Sequence, residues 1–194
     1  QLLLTTIGTL FLDLIQEWAP LFDSINLSLD SIDRERFFQL TRRDLLPQVL
    51  QTYERLLELN IPLKINAVVM ADKNIADILP FVEWKSHYPI SVRFIEDMPF
   101  IGLEEAQHID WWSHQHILEH IQAAYPRLEK IADPKFATAK HYQIPTFKGT
   151  IGIIAAYSRL FCGTCNRIRL TPKGMLKTCL YDDGVFNIRD LMRA

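Results

Sequence analysis

The chain has 194 residues, 48% hydrophobic, 11% aromatic and 23% charged, with a formal net charge of −2. This is enough for one large domain, or one domain with an appended piece, and the balance of charge gives no reason to expect nucleic acid or a membrane surface as partner. With only seven glycines there is little from which to build a glycine-rich phosphate loop, neither GxGxxG nor GxxxxGKS/T occurs, and no apolar run reaches the roughly 20 residues of a membrane span.

The chain opens with QLLLTTIGTLFLDLI. This stretch is apolar but has neither the basic leader nor the small-residue cleavage site of a signal peptide. It starts without Met inside an apolar run, which predicts an internal piece of a longer protein. Residues 2–6 read as a strand and residues 9–21 as a helix. Three further β-branched-rich segments read as strands: SINLSLD at 24–30, LKINAVVM at 63–70 and ISVRFIE at 90–96. Between them, residues 44–59 have helical spacing in Leu45, Leu46, Val49, Leu50, Tyr53, Leu56 and Leu57. Residues 74–86 read as another helix, with Asn74 as its N-cap. Strand and helix alternating at this spacing predict βα units and a parallel sheet.

These strands carry polar residues at alternate positions: Asn26, Ser28 and Asp30, then Lys64 and Asn66, then Arg93 out of phase with Phe94 and Glu96. A parallel strand buried on both faces should be nearly continuous in apolar residues. Polar residues on one face therefore predict a barrel or curved sheet whose interior or rim is a site. Singly, each also reads as a hydrogen-bonded core residue. After Pro99 the character changes. Residues 101–145 read as polar, histidine-rich helix or loop, and a β-like region begins at Thr146. The expected division is residues 1–99 and 100–194.

All three cysteines lie in FCGTCNRIRLTPKGMLKTCL, residues 161–180, as C-x2-C-x13-C. Clustered cysteines fit a reducing cytoplasm and a metal site better than disulfides. Pro172-Lys173-Gly174 is a turn signal, and a turn there sets Arg167 opposite Cys179, near Cys165. Structural zinc and four-iron clusters usually take four protein ligands, so three thiols leave one position open. Spacing alone leaves three readings: an iron–sulfur cluster, zinc with a distant histidine, or incidental buried thiols. Arg167 and Arg169, two apart on a strand, project together and suit an anion such as phosphate. For Lys173 and Lys177 a solvated hairpin is the better reading. His116-Ile-Leu-Glu-His120 matches the H-x-x-E-H zinc-protease pattern. Without a third ligand it reads instead as a solvated or partner-facing helix, with Trp111 and Trp112 as apolar anchors.

Taken in order, TTIG (5–8), INLSLDSID (25–33), KIN (64–66), RFIEDMP (93–99), the cysteine run and NIRDLMR (187–193) resemble the GTP 3′,8-cyclases, the radical S-adenosylmethionine enzymes of molybdenum-cofactor biosynthesis. The resemblance covers nearly the whole chain and is loosest over 100–145. It implies an incomplete βα barrel with a C-terminal cluster-binding hairpin, and two [4Fe–4S] clusters. One cluster cleaves S-adenosylmethionine to a radical that abstracts a ribose hydrogen from GTP. The other, on three cysteines, binds the guanine. The resemblance assigns Cys162, Cys165 and Cys179 to that second cluster. It assigns Thr5, Lys64, Arg167, Ile168 and Arg169 to GTP, and Ser28 and Met98 to S-adenosylmethionine. It further implies a cytoplasmic lyase acting before cyclic pyranopterin monophosphate synthase, with a homodimer among the assemblies to test.

The sequence departs from this pattern. The N-terminal C-x3-C-x2-C motif is absent, so the first cluster is expected only in a longer chain. The glycine-rich strand end that binds the methionine amino group and the glycine-ended tail are absent too, and Ile7 stands where the family usually has Asn. This chain by itself is therefore expected not to cleave S-adenosylmethionine. Two alternatives stay open: a non-catalytic zinc or iron–sulfur module, and a radical enzyme with another substrate.

Overall fold

A computed structural model describes residues 1–98, 111–158, 162–180 and 182–193. The chain forms two compact units, residues 1–160 and 161–194.

The first unit is a seven-stranded sheet. Its strands are β1 (Leu3–Thr6), β2 (Ser24–Ser28), β3 (Leu63–Val69), β4 (Ser91–Glu96), β5 (Glu129–Lys130), β6 (Ala139–Gln143) and β7 (Thr150–Ile154), in the order β1-β2-β3-β4-β7-β6-β5. The first four strands and β7 run parallel, and β6 and β5 add antiparallel at one edge. β4 and β7 are neighbours, so the sheet continues across residue 100 and the structure divides at 160/161. The expected helix-or-loop segment thus contains two strands as well as a helix. Pro99 to Asp110 lie outside the described residues, as do Arg159, Leu160, Phe161, Tyr181 and Ala194.

The helices follow local chemistry. α1 (Ile15–Trp18) is one turn between two 3-10 turns, Leu12–Leu14 and Ala19–Leu21. The continuous helix expected over 9–21 is therefore broken, and Pro20 supplies one reason, because it cannot donate to the preceding turn. α2 (Arg34–Thr41) is capped by Asp33, whose Oδ1 accepts the Arg36 N–H at 2.9 Å. α3 (Leu46–Glu58) starts where Pro47 fits the first turn, and buries Leu46, Val49, Tyr53 and Leu56 on one face. α4 (Ile78–His87) follows a 3-10 turn, Ile75–Asp77, and α5 (His114–Ala124) begins in a capping box.

Strand alternation sorts the two faces of the sheet. Ile25, Leu27, Leu63, Ile65, Val92, Phe94, Ile151 and Ile153 are buried in one cluster with Val49, Leu56, Phe81 and Ile117 of the helices. Each fully buried aliphatic side chain is worth about 1.5–3 kcal/mol, so this face holds the unit together. The polar residues lie on the other face.

The second unit carries β8 (Arg169–Leu170), β9 (Met175–Lys177) and β10 (Phe186–Asn187), a small antiparallel sheet in the order β10-β9-β8, followed by α6 (Ile188–Arg193). Thr171 to Gly174 turns the chain between β8 and β9, with the Gly174 N–H on the Thr171 carbonyl at 2.8 Å. Gly174 has φ +86°, and a Cβ there would meet Arg189 Cβ and Asn187 Oδ1 at 2.7 Å, so only glycine fits.

Candidate functional site

Strand register lines up the polar residues. Thr5, Asn26, Lys64, Ser91 and Thr150 stand side by side across β1, β2, β3, β4 and β7. One level further along come Ser28, Asn66, Arg93, Gly152 and His141. Within the first row Asn26 Nδ2 donates to Thr5 Oγ1 at 3.1 Å, and Thr150 Oγ1 donates to Ser91 Oγ at 3.1 Å. The stem of Arg93 crosses Gly152, where an added Cβ would lie 3.0 Å from Arg93 Cγ.

Two cations share this face. Burial holds the Lys64 ammonium below lysine's usual range, and the charge of Arg93 adds to the effect. Burial likewise lowers the Arg93 guanidinium. Nothing anionic among the described residues reverses either shift. Asn26 Oδ1, Asn66 Oδ1 and Arg93 Nε are buried without a protein partner. Buried polar atoms are normally paired, so this face has the chemistry of a site for an anionic ligand that also offers donors.

The rim after β2 and β3 is fixed by Asn74. It is the N-cap residue of the 3-10 turn Ile75–Asp77, though its side chain makes no capping bond there. Its Oδ1 accepts the Met70 N–H at 2.8 Å, and its Nδ2 donates to the Asp30 and Val68 carbonyls at 2.6 and 2.8 Å. Burial raises the Asp30 carboxyl, its bond from the Val68 N–H acts against this, and nearby Asp97 adds to the rise. Ser28 is in the second polar row, and Met98 is two residues past the end of β4. Buried Glu96 ends β4 and ties two segments together, accepting from the His114 N–H at 2.6 Å and from Ser158 N and Oγ at 2.8 and 2.9 Å.

In the second unit Cys162–Thr164 form a 3-10 turn, closed by the Cys165 N–H on the Cys162 carbonyl at 3.2 Å. All three cysteines are free and exposed. The Cys165 thiol is held below its usual range, first by the Arg167 backbone N–H, with burial acting against this, and then by the Arg167 guanidinium and the charge of Arg169. Arg167 precedes the ladder because its N–H serves the sulfur, so the two arginines are not strand neighbours as expected. Ile168 between them is exposed.

The ladder pairs Arg169 with Lys177, and this register extended by two residues brings Arg167 level with Cys179. Beyond Lys177 the chain curls around Asp182 instead. Asp182 Oδ2 accepts the Thr178 and Cys179 N–H groups at 2.8 and 2.6 Å, and Oδ1 accepts that of Gly184 at 3.0 Å. Burial raises the Asp182 carboxyl, and these bonds together outweigh it and leave it lowered.

Among the described residues no group of three or more His, Cys, Asp or Glu side chains is arranged to hold a metal ion. The three thiols therefore suit a thiophilic cluster in their chemistry, being free, exposed and in one case readily ionised, without being gathered into a closed ligand set. The H-x-x-E-H pattern falls on α5. There the Ser113 N–H donates to His116 Nδ1 at 3.3 Å within the capping box. The proton then sits on Nε2, and neither ring nitrogen offers a lone pair to zinc.

The sheet thus brings Thr5 and Lys64 into one row with Ser28 in the next, while the cysteines, Arg167, Ile168 and Arg169 belong to the second unit. Arg93, Asn26 and Asn66 complete the polar face. Their alternation is visible in the sequence, but only register shows that they converge with Lys64.

The chain thus joins an α/β unit with a cationic polar sheet face to a small unit that carries three free thiols. The Molybdenum Cofactor Synthesis C family matches residues 90–194, and the chain belongs to that family. It is 38% identical over 172 residues to molybdenum cofactor biosynthesis protein 1 of Drosophila melanogaster, covering 88% of this chain and 30% of that protein. The human protein of the same name is 37% identical, with 88% and 27% covered. A GTP 3′,8-cyclase of Clostridium perfringens (strain 13 / Type A) is 38% identical over 198 residues, with 100% and 59% covered. The chain therefore spans less than a third of the first two relatives and about three fifths of the third. Among the described residues no helix is long and apolar enough to cross a membrane.

Proposed function

We propose that this chain is the substrate-binding part of a GTP 3′,8-cyclase of molybdenum-cofactor biosynthesis, a lyase whose seven-stranded sheet is a segment of an incomplete βα barrel. The observation that carries the reading is the pairing of Cys165 with Arg167 and Arg169 in a three-thiol hairpin. Cys162, Cys165 and Cys179 would hold a [4Fe–4S] cluster. When bound by three thiolates, such a cluster leaves one iron open to a donor atom of the substrate.

The chain's own residues then have distinct tasks. The Arg167 N–H and guanidinium favour the thiolate form of Cys165 that ligation needs. Arg167 and Arg169 present charge and planar donors to the nucleotide, with Ile168 contributing backbone. Lys64 and Arg93 attract the triphosphate, which would offset the burial that now lowers both. Thr5, bonded to Asn26, adds a hydroxyl to the same row. Ser28 and Met98 are the proposed contacts to S-adenosylmethionine, whose cleavage requires a first cluster for which residues 1–161 offer no cysteine. The product would pass to cyclic pyranopterin monophosphate synthase, in the cytoplasm. A homodimer is the assembly to test by sedimentation.

Anaerobic reconstitution tests the reading. It predicts about four iron per chain, with a cluster spectrum that changes when GTP is added. Undiminished iron uptake by the C162S/C165S/C179S variant would overturn it. The ungathered thiols favour one alternative, a module that binds zinc without catalysis. Stoichiometric zinc in protein purified without oxygen, together with no GTP binding, would establish that instead.

A further inference from the structure

We propose that the cleft between the loop after β3 and helix α5 binds an organic cation, an ammonium or guanidinium group. The cleft holds about 620 Å³, within the range of small-ligand sites. Asp72 lines it from the loop and Glu119 from the helix, with Trp111, Trp112, His116 and His120 completing the lining. No lysine or arginine is among its described lining residues. Two carboxylates and two indoles are the combination that favours a cation able to lie on an aromatic face.

Both walls are fixed before any ligand arrives. The loop is pinned through Asn74, itself buried, by its three bonds to Met70, Asp30 and Val68. Helix α5 is anchored by fully buried Ile117 and Ile121, and at its start by Glu96, which takes both the His114 N–H and Nδ1. Trp111 packs edge-on against Tyr157 at 4.7 Å, and Trp112 against His120 at 5.4 Å. A preformed cleft loses little entropy on binding.

The same geometry argues against a metal ion. His116 spends its Nδ1 lone pair on the Ser113 N–H, which places the proton on Nε2. The ring is then a donor and a wall, not a ligand. The cation expected here is organic, larger and softer than a divalent metal, and it comes either as a free amine or as a basic side chain of another protein.

N-acetyl-L-arginine amide is the probe, with N-acetyl-L-citrulline amide as its neutral counterpart, titrated into the intact chain by calorimetry and tryptophan fluorescence. Saturable binding of the arginine derivative is expected, with the citrulline derivative about tenfold weaker or more. The D72N/E119Q variant should lose about the same factor while its melting temperature is unchanged. W111F, which exchanges the indole for a smaller phenyl with a weaker π-face, should bind with intermediate affinity. An arginine tripeptide that binds tighter than the amide supports a protein side chain as the source, and equal affinity supports a free small cation. No saturation, equal affinity for the citrulline derivative, or wild-type binding by D72N/E119Q overturns the proposal.

Discussion

Cys165 shows how much of the proposed chemistry depends on neighbours at the residue scale. The main influence on its thiol is the backbone N–H of Arg167, and the guanidinium is a lesser one. R167A keeps the N–H, so the pH profile of Cys165 alkylation, followed by mass spectrometry, should move only part of the way up towards that of an ordinary thiol. An unchanged profile would show that the side chain has no part in it. Arg93 offers a second test. Hydrogen bonds to charged groups are worth about 1.5–3 kcal/mol, so R93M should weaken GTP binding roughly 10- to 100-fold in equilibrium dialysis with the fold intact. Thr5 and Lys64 were proposed from the motifs around them, and register sets both in one row. Arg93 was noted in the sequence only as one of the alternating polar residues, because a polar residue on one strand says nothing of its neighbours until register is known. The expectation that Arg167 and Arg169 share a strand face missed the competing bond to Cys165 sulfur, a local interaction that periodicity does not reveal.

At the scale of elements, β2, β3 and β4 were legible within one or two residues, because buried and polar positions alternate cleanly there. Strand β6 was not, since Ala139–Gln143 reads AKHYQ and lacks the β-branched signature. Asn74 stands at the expected N-cap position, but its side chain satisfies the preceding loop instead of the helical N–H groups, a competition seen only once β2 and β3 are side by side. Two elements carry predictions. In β7, G152V would place a Cβ 3.0 Å from Arg93 Cγ and 3.2 Å from Ala139 Cβ. It should cost about 1–3 kcal/mol in urea unfolding and weaken GTP binding by displacing Arg93. In α4, Lys85 is fully buried, its Nζ lacks a hydrogen-bond partner, and it lies 4.9 Å from the Phe147 ring centroid. Burial lowers its pKa from 10.5 to about 8. Between those values the unfolded chain holds the proton and the folded chain has lost it, so this group makes stability rise with pH, and below about 8 its contribution is flat. K85M should therefore stabilise the protein at pH 8 and flatten the rise towards pH 10, as measured by urea unfolding at both values. An unchanged slope would contradict this reading of Lys85.

On the scale of the whole molecule, the chain has two units with different chemistry. One offers a cationic sheet face with unpaired buried acceptors, and the other a hairpin of three free thiols beside two arginines. The parallel sheet was foreseeable from the spacing of strands and helices, and the turn between β8 and β9 from Pro172-Lys173-Gly174. The place of the division was not, because it depends on β7 returning beside β4 across some 50 residues of polar sequence. The most direct test of the central claim is GTP binding to anaerobically reconstituted protein, read as a change in the cluster's electron paramagnetic resonance spectrum. Expected are about four iron per chain, a spectrum altered by GTP, and loss of that change in R167E/R169E with iron content preserved. A loaded cluster whose spectrum ignores GTP, or an R167E/R169E variant that responds like the wild type, would contradict it.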